Sequence, residues 1–108
     1  MLITTTPSIE GRTIVECRGI VTGDGVLILQ DKVFKAVFVR ADHAAEGRST
    51  LYEGEIQRAR AIALREIADR AKEMGANAIV GLNLVYQSFG PENVNLIVSA
   101  SGTAVLIS

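Results

Sequence analysis

Between Arg48 and Tyr86 the sequence carries a helical stripe, a glycine stop and an alternating strand in immediate succession, an order that few folds accommodate. Tyr52, Ile56, Ala59, Ala63, Ile67, Ala71 and Met74 recur at spacings of three and four, the pattern of a helix with one face toward a core. Thr50 followed by Glu53 has the form of a capping box, and Ser49 could cap equally well, so the helix is predicted to begin there. The opposite face carries Arg58, Arg65, Asp69, Lys72 and Glu73, with Arg65 to Asp69 and Glu66 to Arg70 spaced for ion pairing. Gly75 supplies the left-handed residue that ends a helix. Ala78, Val80, Leu82, Leu84 and Tyr86 then alternate with Ile79, Gly81, Asn83, Val85 and Gln87, which is strand periodicity. Only Gly75, Ala76 and Asn77 separate the two elements, and so short a connection lays the helix back across a sheet.

Ile62 and Leu64 project to either side of the stripe, so the apolar arc is wider than one sheet covers and a second partner surface is expected. The chain of 108 residues, 48% of them hydrophobic, makes one domain over 1–108 with little core to spare. Self-association is the natural supplement. Eleven basic and twelve acidic residues are interleaved, which leaves no electrostatic footprint for nucleic acid or for an acidic membrane surface. Aromatic side chains, at 5%, offer few platforms for base stacking. The single Cys17 excludes an intrachain disulfide, and neither a signal-like N-terminus nor a membrane-spanning apolar run is present, so a cytoplasmic location is expected.

Leu2 to Thr6 is β-prone but stops at Pro7, as a short edge strand or arm would. Ser8 to Arg12 has turn composition. Thr13 to Thr22 is predicted as the first substantial strand, ended by Gly23, Asp24 and Gly25, with Val15, Cys17, Gly19 and Val21 on its more apolar face. Cys17 is therefore expected as a small buried hydrophobe. Val26 to Ala45 fits a helical stripe and has β-branched content as well; a short helix is the preferred assignment, followed by a loop over Asp42 to Arg48. Phe89 to Asn93 contains Gly90 and Pro91 and is expected to form a hairpin loop. Val94 to Ile107 then forms a long third strand with Val94, Leu96, Val98, Ala100, Ala104 and Leu106 on one side, bent or bulged at Gly102. Its other side, with the preceding strand, shows Asn83, Gln87, Asn95, Ser99, Ser101 and Thr103, a face either wet or lining an intersubunit space.

One Cys and one His cannot build a soft-metal site within a single chain, although copies around an axis could give one ligand each. The densest polar cluster is Arg48, Ser49, Tyr52 and Glu53 at the helix start, where backbone N–H groups and Arg48 could hold an anion or simply cap the helix. Arg60 and Arg70 lie at or within the apolar arc and are expected to pair across an interface or to reach its rim. Gly23 and Gly25 lack a phosphate-loop lysine and a dinucleotide fingerprint, and have the composition of a turn.

Several stretches together resemble the YbjQ family, whose domain carries a heavy-metal-binding label: Thr4-Thr5-Thr6, Cys17-Arg18-Gly19-Ile20-Val21, Gly47-Arg48-Ser49, Tyr52-Glu53, Ala59-Arg60, Gly75 to Gly81, and Val98 to Val105. The resemblance implies an α+β, two-layer β-α-β-β subunit similar to dodecin subunits, with a three-stranded antiparallel sheet, one long helix, and extra short strands or a helix used in assembling a homopentameric ring. It implies no established activity, and its metal label transfers no ligand set.

The resulting expectation is a ring-forming binding or scaffold protein whose partner is itself, with a small-ligand or anion site between subunits near Arg48, Ser49, Tyr52, Glu53 and Arg60. No catalytic residue, metal ligand or cofactor is assigned, and no nucleic-acid or membrane partner is expected. Alternatives are a metal-binding protein with one ligand per subunit, and an enzyme using Tyr52, Glu53 and an arginine at a subunit junction.

Overall fold

The computed structural model describes residues 1–27, 45–90 and 95–108, with the backbone alone for 45–52. Among the described residues five elements follow one another: β1 (Leu2–Ile3), β2 (Ile14–Leu27), α1 (Ala45–Glu73), β3 (Ala78–Phe89) and β4 (Asn95–Ile107). One helix covers a four-stranded sheet of order β1-β3-β4-β2, in which β4 is antiparallel to both neighbours and β1 is parallel to β3. The expected three-stranded antiparallel unit is therefore present, with the N-terminal arm added as a short edge strand.

The stripe read from sequence is the face that α1 buries. Ala59, Ala63, Ile67 and Ala71 are fully or almost fully covered, and Ile56, Leu64 and Met74 pack half-buried around them. Val21, Leu27, Leu96, Val98, Ala100 and Ala104 meet them from the sheet. At the helix end Gly75, at φ 81°, closes a Schellman motif: its N–H bonds the Lys72 carbonyl at 3.0 Å, and that of Ala76 bonds the Ala71 carbonyl at 3.0 Å. The Arg18 guanidinium lies over Gly75, a cation at the negative end of the helix dipole. Asn77 then ties helix end to chain end, donating to the Ile107 carbonyl at 2.9 Å and accepting the Ile107 N–H at 2.7 Å.

A second, smaller cluster lies on the sheet face away from the helix. Ala78, Val80, Val105 and Ile107 are buried there under Ile9 and Ile14, so the arm through residues 7–12 roofs one end of the open face. Thr4 and Thr6 bind the arm to β3, since the Thr4 N–H donates to the Ile79 carbonyl and the Thr4 and Thr6 carbonyls accept from Leu82 and Gly81.

Four sequence expectations are corrected. First, Gly23, Asp24 and Gly25 do not end β2, which continues through Val26 to Leu27. A Cβ on Gly23 would lie 2.6 Å from the Ala63 carbonyl oxygen, and one on Gly25 would overlap the Ala59 carbonyl outright. These glycines let the helix approach the strand; they do not turn the chain. Second, α1 begins at Ala45, so Ser49, Thr50 and Glu53 lie within the helix and Ala45–Arg48 is not a loop. Ala45 and Glu46 are strong helix formers, and their contribution offsets the roughly 1 kcal/mol cost of Gly47. Third, the faces of β3 switch partway along: Ala78 and Val80 face away from the helix while Ile79, Leu82 and Leu84 pack toward it. A bulge between Val80 and Asn83, with Gly81 at φ 63°, causes the switch. It lies across the ladder from Gly102, so the expected irregularity falls on the neighbouring strand and β4 runs unbroken. Fourth, Cys17 is exposed, because bulges at 14/16 and 17/19 put it opposite Val105, on the face the helix does not cover.

Of the ion pairs expected on α1, Glu66 and Arg70 are joined at 2.5 Å, and the described ion pairs do not include one between Arg65 and Asp69. The preferred short helix over 26–45 and the loop over 89–93 fall largely outside the described residues; at their margins Val26 and Leu27 are strand, Ala45 opens α1, and Phe89 ends β3.

Two alanine substitutions separate the roles of glycine here. Gly25→Ala is expected to cost about 3 kcal/mol, the upper end for overpacking, because the obstacle is backbone and cannot rotate away. Gly54→Ala, on an exposed helical position with open space around its would-be Cβ, should raise stability by about 1 kcal/mol. Urea unfolding of the two variants beside the parent protein measures both.

Candidate functional site

The five residues expected to line a ligand site occupy the first half of α1. Arg48, Ser49 and Tyr52 lie in its opening turns, where the backbone alone is described, while Glu53 and Arg60 are exposed seven residues apart on the helix. In a helix that starts at Ala45, the N–H groups of Ser49 and Thr50 point back to carbonyls four residues earlier. They are thus committed within the helix, and the backbone half of the expected anion site moves back to the first turn. Glu53 and Arg60 enter no ion pair among the described residues, so both side chains present free charge to solvent.

Arg70 has a definite task. Its Nη1 donates to the Thr22 carbonyl at 2.9 Å while its Nη2 pairs with Glu66, so the guanidinium reaches over the outer flank of β2. β2 is the outermost of the described strands on its side, and Arg70 occupies one of its carbonyls. The sequence placed Arg70 within the apolar arc and led to the expectation of pairing across an interface or reaching its rim; it could not show that the partner was a strand carbonyl 48 residues away.

Two regions remain chemically open. The N-terminal arm folds around a groove of about 670 Å³ lined by Leu2, Ile3, Thr4, Thr6, Ser8, Ile9 and Glu10. The rest of the sheet's helix-free face shows Ile20 at 82% exposure, with Val26, Val85 and Phe89 also exposed and Ser99, Ser101 and Thr103 between them. Asn95, expected on that polar face, is buried at the end of β4. Among the described residues no three His, Cys, Asp or Glu side chains converge, and no helix is long and apolar enough to cross a membrane.

This arrangement defines a small α+β protein of one helix on a mixed four-stranded sheet, with the N-terminal arm wrapped around one edge. The chain belongs to the YbjQ family, whose model, described as "Putative heavy-metal-binding", matches residues 1–108. Its fold is also that of a crystallised protein of unknown function from Pediococcus pentosaceus, assigned to the DUF74 family. The two share 20% identity at a TM-score of 0.57, over 100% of this chain and 98% of the other.

Among the described residues no set fits a heavy-metal site within one chain. Soft metals need several convergent thiolate or imidazole ligands, whereas Cys17 stands by itself on an exposed strand and the neighbouring Glu16 is paired to Arg18 at 3.4 Å. His43 lies outside the described residues.

The helix start also makes a measurable difference to Ser49 and Thr50. At an N-cap, replacement of either by alanine would cost about 1 kcal/mol; inside a helix that begins at Ala45, Ser49→Ala and Thr50→Ala should each leave stability within about 0.5 kcal/mol or raise it slightly. Chemical denaturation of the two variants distinguishes these positions.

Proposed function

We propose that this chain is a self-assembling binding protein of the cytoplasm, with copies closed into a ring and a small anionic ligand held where subunits meet. The observation that carries the reading is the amount of apolar surface one subunit leaves open. Ile20, Val15, Val26, Val85, Ile62 and Phe89 are all exposed among the described residues. Net charge of −1 offers no electrostatic resistance to association.

The helix position supports the same reading. α1 packs over β2 and β4 and barely touches β3, so Leu84 and Tyr86 on the helix side of β3 are left half-covered or exposed. A neighbour could fill that lane. The first half of α1 would then approach a subunit junction, bringing Arg48, Ser49, Tyr52, Glu53 and Arg60 into play as ligand contacts.

Light scattering should give a particle several times the 11.5 kDa of one chain, and a single-subunit mass in dilute buffer would remove the basis of the reading. Inorganic phosphate serves as the first anion probe. At about one hundred times its Kd it should stabilise the assembly by about 2.7 kcal/mol, and Arg60→Ala should reduce that gain. An unchanged melting temperature with phosphate and with a panel of small carboxylates would leave a scaffold without a ligand.

The family description and the exposed thiol of Cys17 favour a second reading, in which symmetry-related copies each contribute one soft ligand to a shared metal. Elemental analysis of protein purified without a metal-affinity tag should then show less than one metal per chain, lost in Cys17→Ser. Metal content indifferent to that substitution ends this reading.

A further inference from the structure

The groove of the N-terminal arm is built wholly from described residues, at one end of the sheet. β1 pairs with Ala78 and Ile79, which pair in turn with Val105 and Ala104, whereas Leu27 pairs with Leu96 and Phe89 with Asn95. Roughly 30 Å of β4, from Leu96 to Val105 at about 3.3 Å per residue, therefore separates the arm from the end of the sheet where Leu27, Phe89 and Asn95 stand. α1 begins toward that same far end, since its Ala59 lies on Gly25 and its Met74 on Gly19. The groove is thus a place apart from the helix-start residues named above, whatever the number of copies.

Its walls are held by the rest of the fold. Ile3 packs against the main core and Ile9 against the smaller cluster under the arm, so the groove lies between two packed layers. The Thr4 N–H donates to the Ile79 carbonyl at 2.9 Å, and the Gly81 N–H to the Thr6 carbonyl at 2.8 Å. Arg12 closes the turn after Ile9: its N–H bonds the Ile9 carbonyl at 3.1 Å, and its guanidinium is engaged by the Ser108 carbonyl. At about 670 Å³ the groove falls within the roughly 300–1,000 Å³ of small-molecule sites.

The positions of the hydroxyl protons decide what such a groove takes. A carbonyl only accepts, so the bond from Thr6 Oγ1 to the Ser8 carbonyl uses the Thr6 hydroxyl proton. The 2.8 Å bond between the two threonine hydroxyls then uses the Thr4 proton, and the Thr6 N–H donates to Thr4 Oγ1 at 3.2 Å. Neither threonine hydroxyl has a proton left to give, while lone pairs remain on Thr6 Oγ1 and on the Ser8 carbonyl. Glu10, exposed and in no ion pair among the described residues, adds a carboxylate to the same lining. Leu2, Ile3 and Ile9 supply its apolar part. We propose that the groove binds a small primary aliphatic amine in its protonated form. The ammonium is held by Glu10 and the acceptors of Thr6 and Ser8, and the hydrocarbon chain lies along Leu2, Ile3 and Ile9. An anion would meet the Glu10 carboxylate and hydroxyls with no proton to offer, so this groove has the opposite charge preference to a phosphate site.

Calorimetric titration of the full chain with butylammonium chloride should show saturable binding. Butanol and butyrate, which keep the hydrocarbon chain and change the head group, should bind about tenfold more weakly or not at all. Glu10→Gln, at an exposed position, should weaken butylammonium binding about tenfold with unchanged circular dichroism, while Glu73→Gln, which removes an exposed carboxylate on α1, should leave it as in the parent. Affinity should also rise from propylammonium to hexylammonium, by up to about fourfold for each methylene laid on the apolar wall. Absence of saturable binding, butanol binding as well as butylammonium, equal affinity in the parent and Glu10→Gln, or affinity indifferent to chain length each overturns the amine site.

Discussion

Of the described glycines, Gly23 and Gly25 on β2 leave the least room for a side chain, because Ala59 and Ala63 of α1 lie against them. Where the strand has no Cβ, the helix backbone comes down almost onto the sheet, and the axis of α1 is thereby fixed over β2 and not over the sheet's centre. Larger residues complete the seam above and below it: Ile67 and Val98 are wholly buried, and Met74 reaches Gly19 near the helix end. Close packing of this kind tolerates little change in volume. It also sets α1 over β2 and β4, so that the helix barely touches β3.

What the sequence made legible is what local periodicity can encode. The stripe from Ile56 to Met74 and the stop at Gly75 are found as read, and the N-terminal stretch supplies the expected short edge strand at Leu2–Ile3, because helix periodicity, a left-handed turn and strand propensity each act within a few residues. The pair Gly23 and Gly25 is different. A glycine that turns the chain and a glycine that admits a helix carry the same letter, and the backbone that explains these two belongs to residues 34 to 44 positions further on. The same limit applies to the faces of β3. Strict alternation puts Ala78, Val80, Leu82 and Leu84 together, and only the bulge at Gly81, fixed by pairing with β4, parts them. Cys17 went to the wrong face for a similar reason, since two bulges in β2 reset its register after the point where sequence alternation looked continuous.

The candidate site was less legible than the fold, and the reason is chemical. Catalysis and metal binding announce themselves through rare residue types held in fixed spacing, and here the composition supplies one thiol, one imidazole and no nucleophile beside a base. The helix-start cluster drew attention because capping and anion binding use the same groups. Once α1 begins at Ala45, that coincidence dissolves for the backbone of Ser49 and Thr50, and what remains is a set of side chains on one helical segment, with Glu53 and Arg60 turned to solvent. Such residues gain meaning only from whatever stands opposite them.

Arg70 shows how the molecule treats its two vulnerable edges unequally. An uncovered strand edge invites any other strand, and proteins commonly blunt it with charge, bulges or a covering segment. β2 shows two of these among the described residues: bulges at its start, and a guanidinium on Thr22 held in place by Glu66. The opposite edge is blunted by brevity, since β1 pairs over only Leu2 and Ile3 before the chain curls through Thr6 and Ser8 onto the open face. Unrestricted sheet extension is therefore discouraged at both ends, while short apolar stretches at each are left bare. Ile20 stays in water beside the blunted part of β2, and any strand that paired there would find only a short stretch of edge available.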